Sequence, residues 1–178
     1  MMTRVAVLTV LAALAASGCK SSETKAEEER VKALTVDYAS ERRAAGATLD
    51  AFHAAASKAN LPAYTACFAP DMVFLGTDPR ERWNAAEFTA FAKSYFDQGK
   101  GWTYTLGPAG RSVTIDPDGS TAWFDESLLN EKYGQCRGSG VLRKIGGRWL
   151  ICQYNLAFTV PNDAADKVVQ IIRANPGR

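Results

Sequence analysis

The segment Cys136–Phe158, CRGSGVLRKIGGRWLICQYNLAF, constrains the fold more than any other part of the chain. Its centre, Gly146-Gly147, is typical of the two-residue turns whose backbone twist matches that of the strands they connect. Apolar and β-branched residues flank the turn on both sides. The segment therefore predicts a long antiparallel hairpin in which Ile145 pairs with Arg148.

The register of this hairpin predicts a sheet face with room for a ligand. Counting back from the turn places Gly140 opposite Gln153 and Gly138 opposite Asn155. Opposed residues share a face of the sheet, and these four lie on the same face as Leu142. Two missing side chains beside two amides leave space for something to approach. We therefore expect this region to form the floor of a pocket.

The rest of the chain predicts helices that precede a meandering sheet. Apolar residues recur at helical spacing from Leu49, and Asn84 with Glu87 three residues later is typical of a helix N-terminus. Strand-like segments follow between residues 102 and 129. This order predicts an α+β fold with helices on one face of a curved antiparallel sheet. A last amphipathic segment, 163–173, predicts a C-terminal helix that packs back on the body.

The first 19 residues predict a targeting segment. A short basic start and the apolar run Val5–Ala16 are typical of a signal peptide. The small residues before Cys19 resemble a bacterial lipobox, in which this cysteine is lipidated, while simple secretion is the alternative. We therefore expect a lipid-anchored protein of the bacterial cell envelope that faces the periplasm or the outside. Lys20 in place of Asp favours the outer membrane over the inner membrane.

The predicted domain organisation follows from composition. Residues 20–48 are rich in Glu, Lys, Arg and Ala with a thin apolar stripe, which indicates a polar tether that is helical in part. A partner-binding helix is the alternative for this segment. The folded domain is predicted to span residues 49–175, including the C-terminal helix.

Charge and cysteine content narrow the classes of partner. The formal net charge is +2 and there is no basic cluster, so no nucleic-acid surface is predicted. No Cys/His spacing indicates a metal site, and nothing implies a cofactor. Besides Cys19, the chain has Cys67, Cys136 and Cys152, which can form at most one disulfide, through Cys67. The other interpretation is that these three cysteines are small buried hydrophobic residues.

Several segments together resemble SnoaL-like proteins of the nuclear transport factor 2 superfamily. They are ATLDAFHAAASKANLPAYTACFAPDMVFLGTD, the ERW that follows it, AWFDE, and RGSGVLRKIGGRWLICQYNLAFTVPN. The resemblance covers about Leu49 to Val169. It implies a cone-shaped, strongly curved, mostly antiparallel sheet wrapped around three helices with an internal pocket, the cystatin-like roll. Isomerases, cyclases, dehydratases and binding domains share this fold, so no single activity is implied.

Asp125 is the carboxylate that the sequence places in the pocket. If it pairs with Gly138, it shares the pocket face and serves as a general base or as a structural acceptor. Its neighbour Glu126 then lies opposite Arg137 on the other face as a cross-strand ion pair. A register slip of one residue would exchange these positions.

Aromatic residues are the predicted walls of the pocket. The candidates for this lining are Tyr64, Trp83, Phe88, Phe91 and Trp123, and plain core is the alternative. The single histidine, His53, is expected at the surface or at the rim. Thr77 and Asp78 are candidates to gate the mouth.

These observations predict a membrane-tethered domain that binds a small hydrophobic molecule without transforming it. The first alternative is an isomerase, cyclase or dehydratase with Asp125 as base and Gln153 or Asn155 stabilising an oxyanion. The second alternative is an interaction domain that forms a homodimer through the outer face of its sheet.

Overall fold

The computed structural model describes residues 36–175, which form four helices and six strands. The helices are α1 (Tyr38–Ser57), α2 (Leu61–Thr65), α3 (Ala85–Phe96) and α4 (Ala165–Ala174), the last preceded by a short 3₁₀ turn (Asn162–Ala164). The strands are β1 (Phe68–Leu75), β2 (Arg82–Asn84), β3 (Thr105–Ile115), β4 (Thr121–Asn130), β5 (Gly134–Ile145) and β6 (Arg148–Phe158). The predicted signal peptide, Cys19 and the first part of the predicted tether lie outside the described residues.

One mixed sheet of six strands organises the fold, in the order β2-β1-β6-β5-β4-β3. Strands β1 and β6 are parallel, and the other neighbours are antiparallel. Strands β2 and β3 lie at opposite edges, so the sheet is open rather than closed into a barrel. The predicted α+β class is confirmed. None of the described helices has the length and apolar character needed to span a membrane.

Helix α1 begins within the predicted tether, well before Leu49. Asp37 caps it by accepting a hydrogen bond from the Ser40 N–H at 3.0 Å. Ala45 is fully buried, and Glu41 accepts a 2.8 Å hydrogen bond from the indole of Trp149. The segment from Asp37 onward therefore belongs to the compact unit that contains the sheet.

Helix α3 starts as its sequence predicts. The Asn84 side chain accepts from the Glu87 N–H at 3.0 Å, and the Glu87 carboxylate accepts from the Asn84 N–H at 2.9 Å. This capping box satisfies two backbone donors that the first turn would otherwise leave unpaired. It orients the helix so that Phe88 and Ala92 are buried against the sheet.

The β5–β6 hairpin follows the predicted register only near its turn. Gly146 and Gly147 have φ angles of 57° and 78°, as a tight turn of this hand requires, and Leu142 pairs with Ile151. The register then shifts, because Cys152 is an extra residue that forms a β-bulge. Beyond the bulge the predicted register is wrong.

The β4–β5 pairing also differs from the prediction by one residue. Asp125 pairs with Ser139, and Glu126 pairs with Gly138. The connecting loop sets this register, since Asn130 pairs with Gly134 at φ 67° and accepts hydrogen bonds from two loop N–H groups. The predicted ion pair between Glu126 and Arg137 is therefore wrong, because the two residues are not opposite each other.

Two further expectations differ from the structure. No residue of α4 is buried, and its side chains Val169, Ile171 and Ile172 are exposed, so this helix does not pack its apolar face into the core as predicted. The thiols of Cys67, Cys136 and Cys152 are free, so the disulfide alternative is not realised within the described residues. Cys67 and Cys136 are buried, as small hydrophobic residues would be.

Candidate functional site

An aromatic cavity of about 310 Å³ opens between α3, the end of β1 and the segment before β3. Aromatic rings make up most of its wall: Phe74, Trp83, Phe88, Phe91, Tyr95, Trp102, Tyr104 and Tyr133. Its volume lies at the lower end of the range of pockets that hold small organic ligands, about 300–1,000 Å³. We call this space the aromatic cavity.

The rings of the aromatic cavity are arranged by the short elements β2 and α3. Trp83 stacks on Phe91 with centroids 4.8 Å apart, and Phe74 stacks on Phe88 at 3.8 Å. These contacts fix the rings in place, and this packing keeps the cavity open. The lining rings can make offset or edge-to-face contacts with a flat ligand ring, and aromatic pairs prefer these two arrangements.

Charged groups are few in the aromatic cavity. Glu81 and Lys132 are the two charged residues of its lining, and their opposite signs leave no net charge. Thr77 also lines it, at the position where the sequence suggested a gate. The Glu81 carboxylate accepts a hydrogen bond from the Asp78 N–H at 3.1 Å, which fixes the loop between β1 and β2.

The predicted pocket residues divide into two sets. Trp83, Phe88 and Phe91 line the aromatic cavity. Among the other aromatic candidates, Tyr64 is fully buried, and Trp123 is 51% exposed on the opposite face of the sheet. Asp125 shares that outer face and is exposed, since the buried residues of β4 are its alternate neighbours.

The amides Gln153 and Asn155 also lie on the outer face. The Cys152 bulge moves them there, because it pairs them with Val141 and Ser139 instead of with the two glycines. The residue that the bulge turns inward is Tyr154, which is buried and pairs with Gly140. The expectation that both amides decorate the pocket floor is therefore wrong.

The space above Gly138 and Gly140 is filled by the protein itself. A Cβ atom at Gly138 would lie 2.2 Å from the Tyr154 hydroxyl and 2.8 Å from Glu126 Oε1. A Cβ atom at Gly140 would lie 1.9 Å from the carbonyl oxygen of Gln153. Gly138 therefore makes room for a tyrosine and a carboxylate, and Gly140 for a backbone carbonyl, rather than for a ligand.

Glu126 is the centre of a buried polar cluster on the inner face. Its side chain is completely buried. Its Oε1 accepts a hydrogen bond from the Tyr154 hydroxyl at 2.6 Å and lies 2.7 Å from His53 Nε2. Its Oε2 accepts from Arg111 Nε at 2.7 Å. We call His53, Arg111, Glu126 and Tyr154 the glutamate cluster.

Arg111 ties the glutamate cluster to helix α1. Its guanidinium donates to the Gly46 carbonyl oxygen at 3.1 Å and to Asp50 Oδ1 at 2.7 Å. The residue lies just after the irregular pairing of β3 with β4, where it is opposite Glu126. One side chain thus connects the sheet, the buried carboxylate and the first helix.

These contacts determine the charge state of Glu126. Burial alone would raise the pKa of its carboxyl group, but the hydrogen bonds from His53 and Tyr154 and the charge of Arg111 together lower the pKa below its ordinary value. Burial of Tyr154 and the charge of the nearby Glu126 carboxylate raise the pKa of Tyr154 well above its ordinary value. Glu126 is therefore ionised at neutral pH, and Tyr154 remains a hydrogen-bond donor.

His53 connects the glutamate cluster to the interior space. Its side chain is 13% exposed, and it lines a small void next to the aromatic cavity together with Tyr154. An imidazole held by a buried carboxylate is a suitable proton acceptor, because the carboxylate stabilises the imidazolium that forms. The sequence placed this residue at the surface or the rim, and the structure places it at the inner end of the site.

Sequence reasoning missed Arg111, Glu126 and Tyr154 as site residues. The one signal was the pair Gly138 and Gly140, which did indicate that something approaches the inner face. Which side chains approach the glycines depended on the registers of the β4–β5 and β5–β6 pairs, which could not be predicted from the sequence. Among residues 36–175, no group of three or more His, Cys, Asp or Glu side chains is placed to hold a metal ion.

The fold and the cavity define a cystatin-like α+β protein with a space between its helices and its sheet. Comparison with family models agrees: the model of the SnoaL-like domain matches residues 46–161, more than half of the chain. The chain therefore belongs to the SnoaL-like family. No significant match is found among curated proteins.

Three solved structures with a similar fold are distant from this chain in sequence. A domain of unknown function with a cystatin-like fold from Nostoc punctiforme PCC 73102 has a TM-score of 0.59 at 13% identity, covering 74% of this chain and 85% of that chain. A Novosphingobium aromaticivorans DSM 12444 protein, provisionally named a scytalone dehydratase, has a TM-score of 0.56 at 12% identity and coverages of 67% and 85%. A ketosteroid isomerase-like protein from Erwinia carotovora atroseptica SCRI1043 has a TM-score of 0.50 at 21% identity and coverages of 67% and 96%. At these identities the likeness establishes the fold.

Proposed function

We propose that this protein binds a flat, largely apolar small molecule in the aromatic cavity. The observation that carries the proposal is a space of about 310 Å³ whose wall consists mainly of aromatic rings. Burying apolar surface there is favourable at about 25 cal/mol per Å² removed from water. Because Glu81 and Lys132 offset each other in the lining, we expect a ligand without net charge.

Calorimetric titration with tetralin, a two-ring hydrocarbon, tests this proposal. Trp83→Ala removes one wall of the aromatic cavity and should weaken binding at least tenfold. Trp123→Ala is the matched control, since this indole is 51% exposed on the outer face, and it should leave the affinity unchanged. The proposal is abandoned if the wild-type protein does not bind the probe, or if both substitutions weaken binding equally.

A second candidate function is proton transfer by His53, as in an isomerase or a dehydratase. The observation that favours it is the 2.7 Å contact between His53 Nε2 and the buried Glu126 at the inner end of the site. The imidazole would take a proton from a carbon next to a carbonyl group, and Glu126 would stabilise the resulting cation. Among the solved structures with this fold, one is named isomerase-like and another provisionally a dehydratase.

Deuterium exchange tests this second candidate without a known substrate. β-Tetralone has exchangeable protons next to its carbonyl group, and NMR in D₂O follows their loss. The wild-type protein should accelerate exchange and His53→Asn should not. Asp125→Asn should behave like the wild type, because Asp125 lies on the outer face. If Asp125→Asn abolishes the exchange and His53→Asn retains it, Asp125 is the general base and His53 is not.

We also propose that the domain is tethered to a membrane of the bacterial cell envelope through a lipid on Cys19. The support is the apolar run and the small residues that precede this cysteine. Metabolic labelling with a fatty acid should mark the wild-type chain and not Cys19→Ala. A labelled Cys19→Ala chain, or a wild-type chain that stays in the soluble fraction, would exclude the proposal.

A homodimer through the outer sheet face is a further proposal. Support comes from Trp123, an exposed indole on a face that also carries Val141 and Gln153, a mixture of apolar and neutral polar side chains. Sedimentation equilibrium should show a dimer that Trp123→Arg converts to a monomer. A wild-type monomer at all accessible concentrations would rule it out.

A further inference from the structure

A small void of about 20 Å³ lies at the inner end of the aromatic cavity. Phe74, Trp102, Tyr104 and Leu156 line both spaces, so the two adjoin each other. A space of this size is close to the minimum of about 10–15 Å³ that holds one water molecule. The void is therefore large enough for one oxygen atom and too small for a ring.

Tyr64 is the unusual residue in the lining of this void. Tyr64 is fully buried, and its hydroxyl makes no hydrogen bond of normal geometry to any residue among 36–175. Buried polar groups without a partner are rare in folded proteins. An unpartnered phenol at the edge of an otherwise aromatic void indicates that the partner is a molecule the protein binds.

Aromatic rings surround Tyr64 on several sides. Its ring stacks on Phe52 with centroids 4.6 Å apart and meets Phe68 and Trp102 edge to face. Burial raises the pKa of Tyr64 well above its ordinary value, and the indole N–H of Trp102 opposes that effect without reaching hydrogen-bond geometry. An indole N–H only donates, so it cannot accept the phenol proton.

We propose that the void is an oxygen subsite in which Tyr64 donates a hydrogen bond to one uncharged oxygen atom. In the free protein this oxygen belongs to a water molecule, and in the complex it belongs to a carbonyl or hydroxyl group at one end of the ligand. The inference rests on the proposed ligand-binding function and narrows the ligand class to flat apolar molecules with a single terminal oxygen. A charged oxygen is disfavoured, because His53, the one lining residue that could pair with it, is already held by the Glu126 carboxylate.

The position of His53 indicates how a ligand bound in the oxygen subsite is oriented. His53 lines the same void, so a ligand whose oxygen occupies it presents the adjacent carbon atoms toward the imidazole. The hydrocarbon part of the ligand then extends into the aromatic cavity. Tyr64 would act as a positioning and binding residue, whether or not proton transfer occurs.

A pair of probes that differ only in one oxygen tests this inference. Tetralin and β-tetralone have the same ring skeleton, and calorimetry gives both dissociation constants for each protein. A neutral hydrogen bond should make the wild-type protein prefer β-tetralone about three- to tenfold. Tyr64→Phe should abolish this preference and keep the affinity for tetralin. Tyr95→Phe is the matched control, since Tyr95 lines the cavity at 44% exposure, and it should keep the preference.

The outcomes separate this inference from the proposed function. Equal wild-type affinity for the two probes, or an unchanged preference in Tyr64→Phe, overturns the oxygen subsite and leaves ligand binding intact. Failure of both probes to bind the wild type overturns the two together. A high-resolution crystal structure of the free protein gives a second readout that does not depend on the variant folding. It should show a water molecule within hydrogen-bond distance of Tyr64 Oη, and an empty void would refute the subsite.

Discussion

Substitution of Gly138 by alanine is the sharpest test of the glutamate cluster. The added Cβ would lie 2.2 Å from the Tyr154 hydroxyl, whereas real Cβ contacts are hardly ever shorter than 3.0 Å. The hydroxyl must therefore move by about 0.8 Å, which is enough to stretch its 2.6 Å hydrogen bond to Glu126 beyond normal length. Overpacking of a core costs about 1–3 kcal/mol, and a hydrogen bond to a charged group contributes about 1.5–3 kcal/mol.

Because a partial shift relieves part of the clash, we expect Gly138→Ala to lower the free energy of unfolding by about 2–4 kcal/mol. Urea denaturation at neutral pH measures this change. Gly46→Ala is the control: Gly46 lies in α1, its added Cβ would meet nothing closer than 3.9 Å, and alanine should stabilise the helix by about 0.5–1 kcal/mol.

A double-mutant cycle identifies the atom responsible. In Tyr154→Phe the hydroxyl is absent, so the cost of Gly138→Ala should fall by at least about 1 kcal/mol in that background. If the cost is the same in both backgrounds, or if Gly138→Ala alone changes stability by less than about 0.5 kcal/mol, the reasoning about Gly138, Tyr154 and Glu126 is refuted.

Three other perturbations test the rest of the structure. Glu126→Gln removes the buried carboxylate charge that pairs with Arg111 Nε and should destabilise the protein by about 3 kcal/mol at neutral pH. Because the pKa of Glu126 is lowered, its contribution is present above the ordinary value of 4.5 and is lost as pH falls through the lowered pKa. The gap in Tm between the two proteins should therefore narrow in acid, and a constant gap would contradict this. Phe88→Ala should cost about 3–5 kcal/mol by chemical denaturation, against less than about 0.5 kcal/mol for the exposed Phe158→Ala. A chain that begins at Asp37 should unfold cooperatively by circular dichroism, and one that begins at Leu49 should not, since the latter lacks the first half of α1. Cooperative unfolding of both chains would support the predicted domain boundary at residue 49.

Local chemistry made much of the fold predictable. The capping box of Asn84 and Glu87 and the turn at Gly146-Gly147 each depend on residues a few positions apart, so the sequence contains all the information they need. The order of helices and strands is likewise readable from periodicity, and it identified the α+β class. The start of α1 was less predictable, because its first turns are polar on most sides and are held by Glu41 contacts to distant strands.

The composition of the site was decided by tertiary structure. A strand alternates its faces at every residue, so one bulge at Cys152 and one loop closed by Gly134 were enough to exchange the inward and outward sets. Neither the bulge nor the loop is indicated by the nearby sequence as clearly as a Gly-Gly pair indicates a tight turn. Those two registers placed Glu126 and Tyr154 inside and Asp125 outside.

The sequence by itself determined that this chain forms helices against a mostly antiparallel sheet, with aromatic residues near β2 and α3 and glycines where β5 is closely approached. Only the tertiary structure decided which carboxylate is buried, that His53 and Arg111 converge on it, and that the open space lies beside α3 rather than above the glycines. The physical reason is that secondary structure depends on near neighbours. A buried charge depends on partners far apart in the chain, such as Glu126, which is held by residues from α1, β3 and β6.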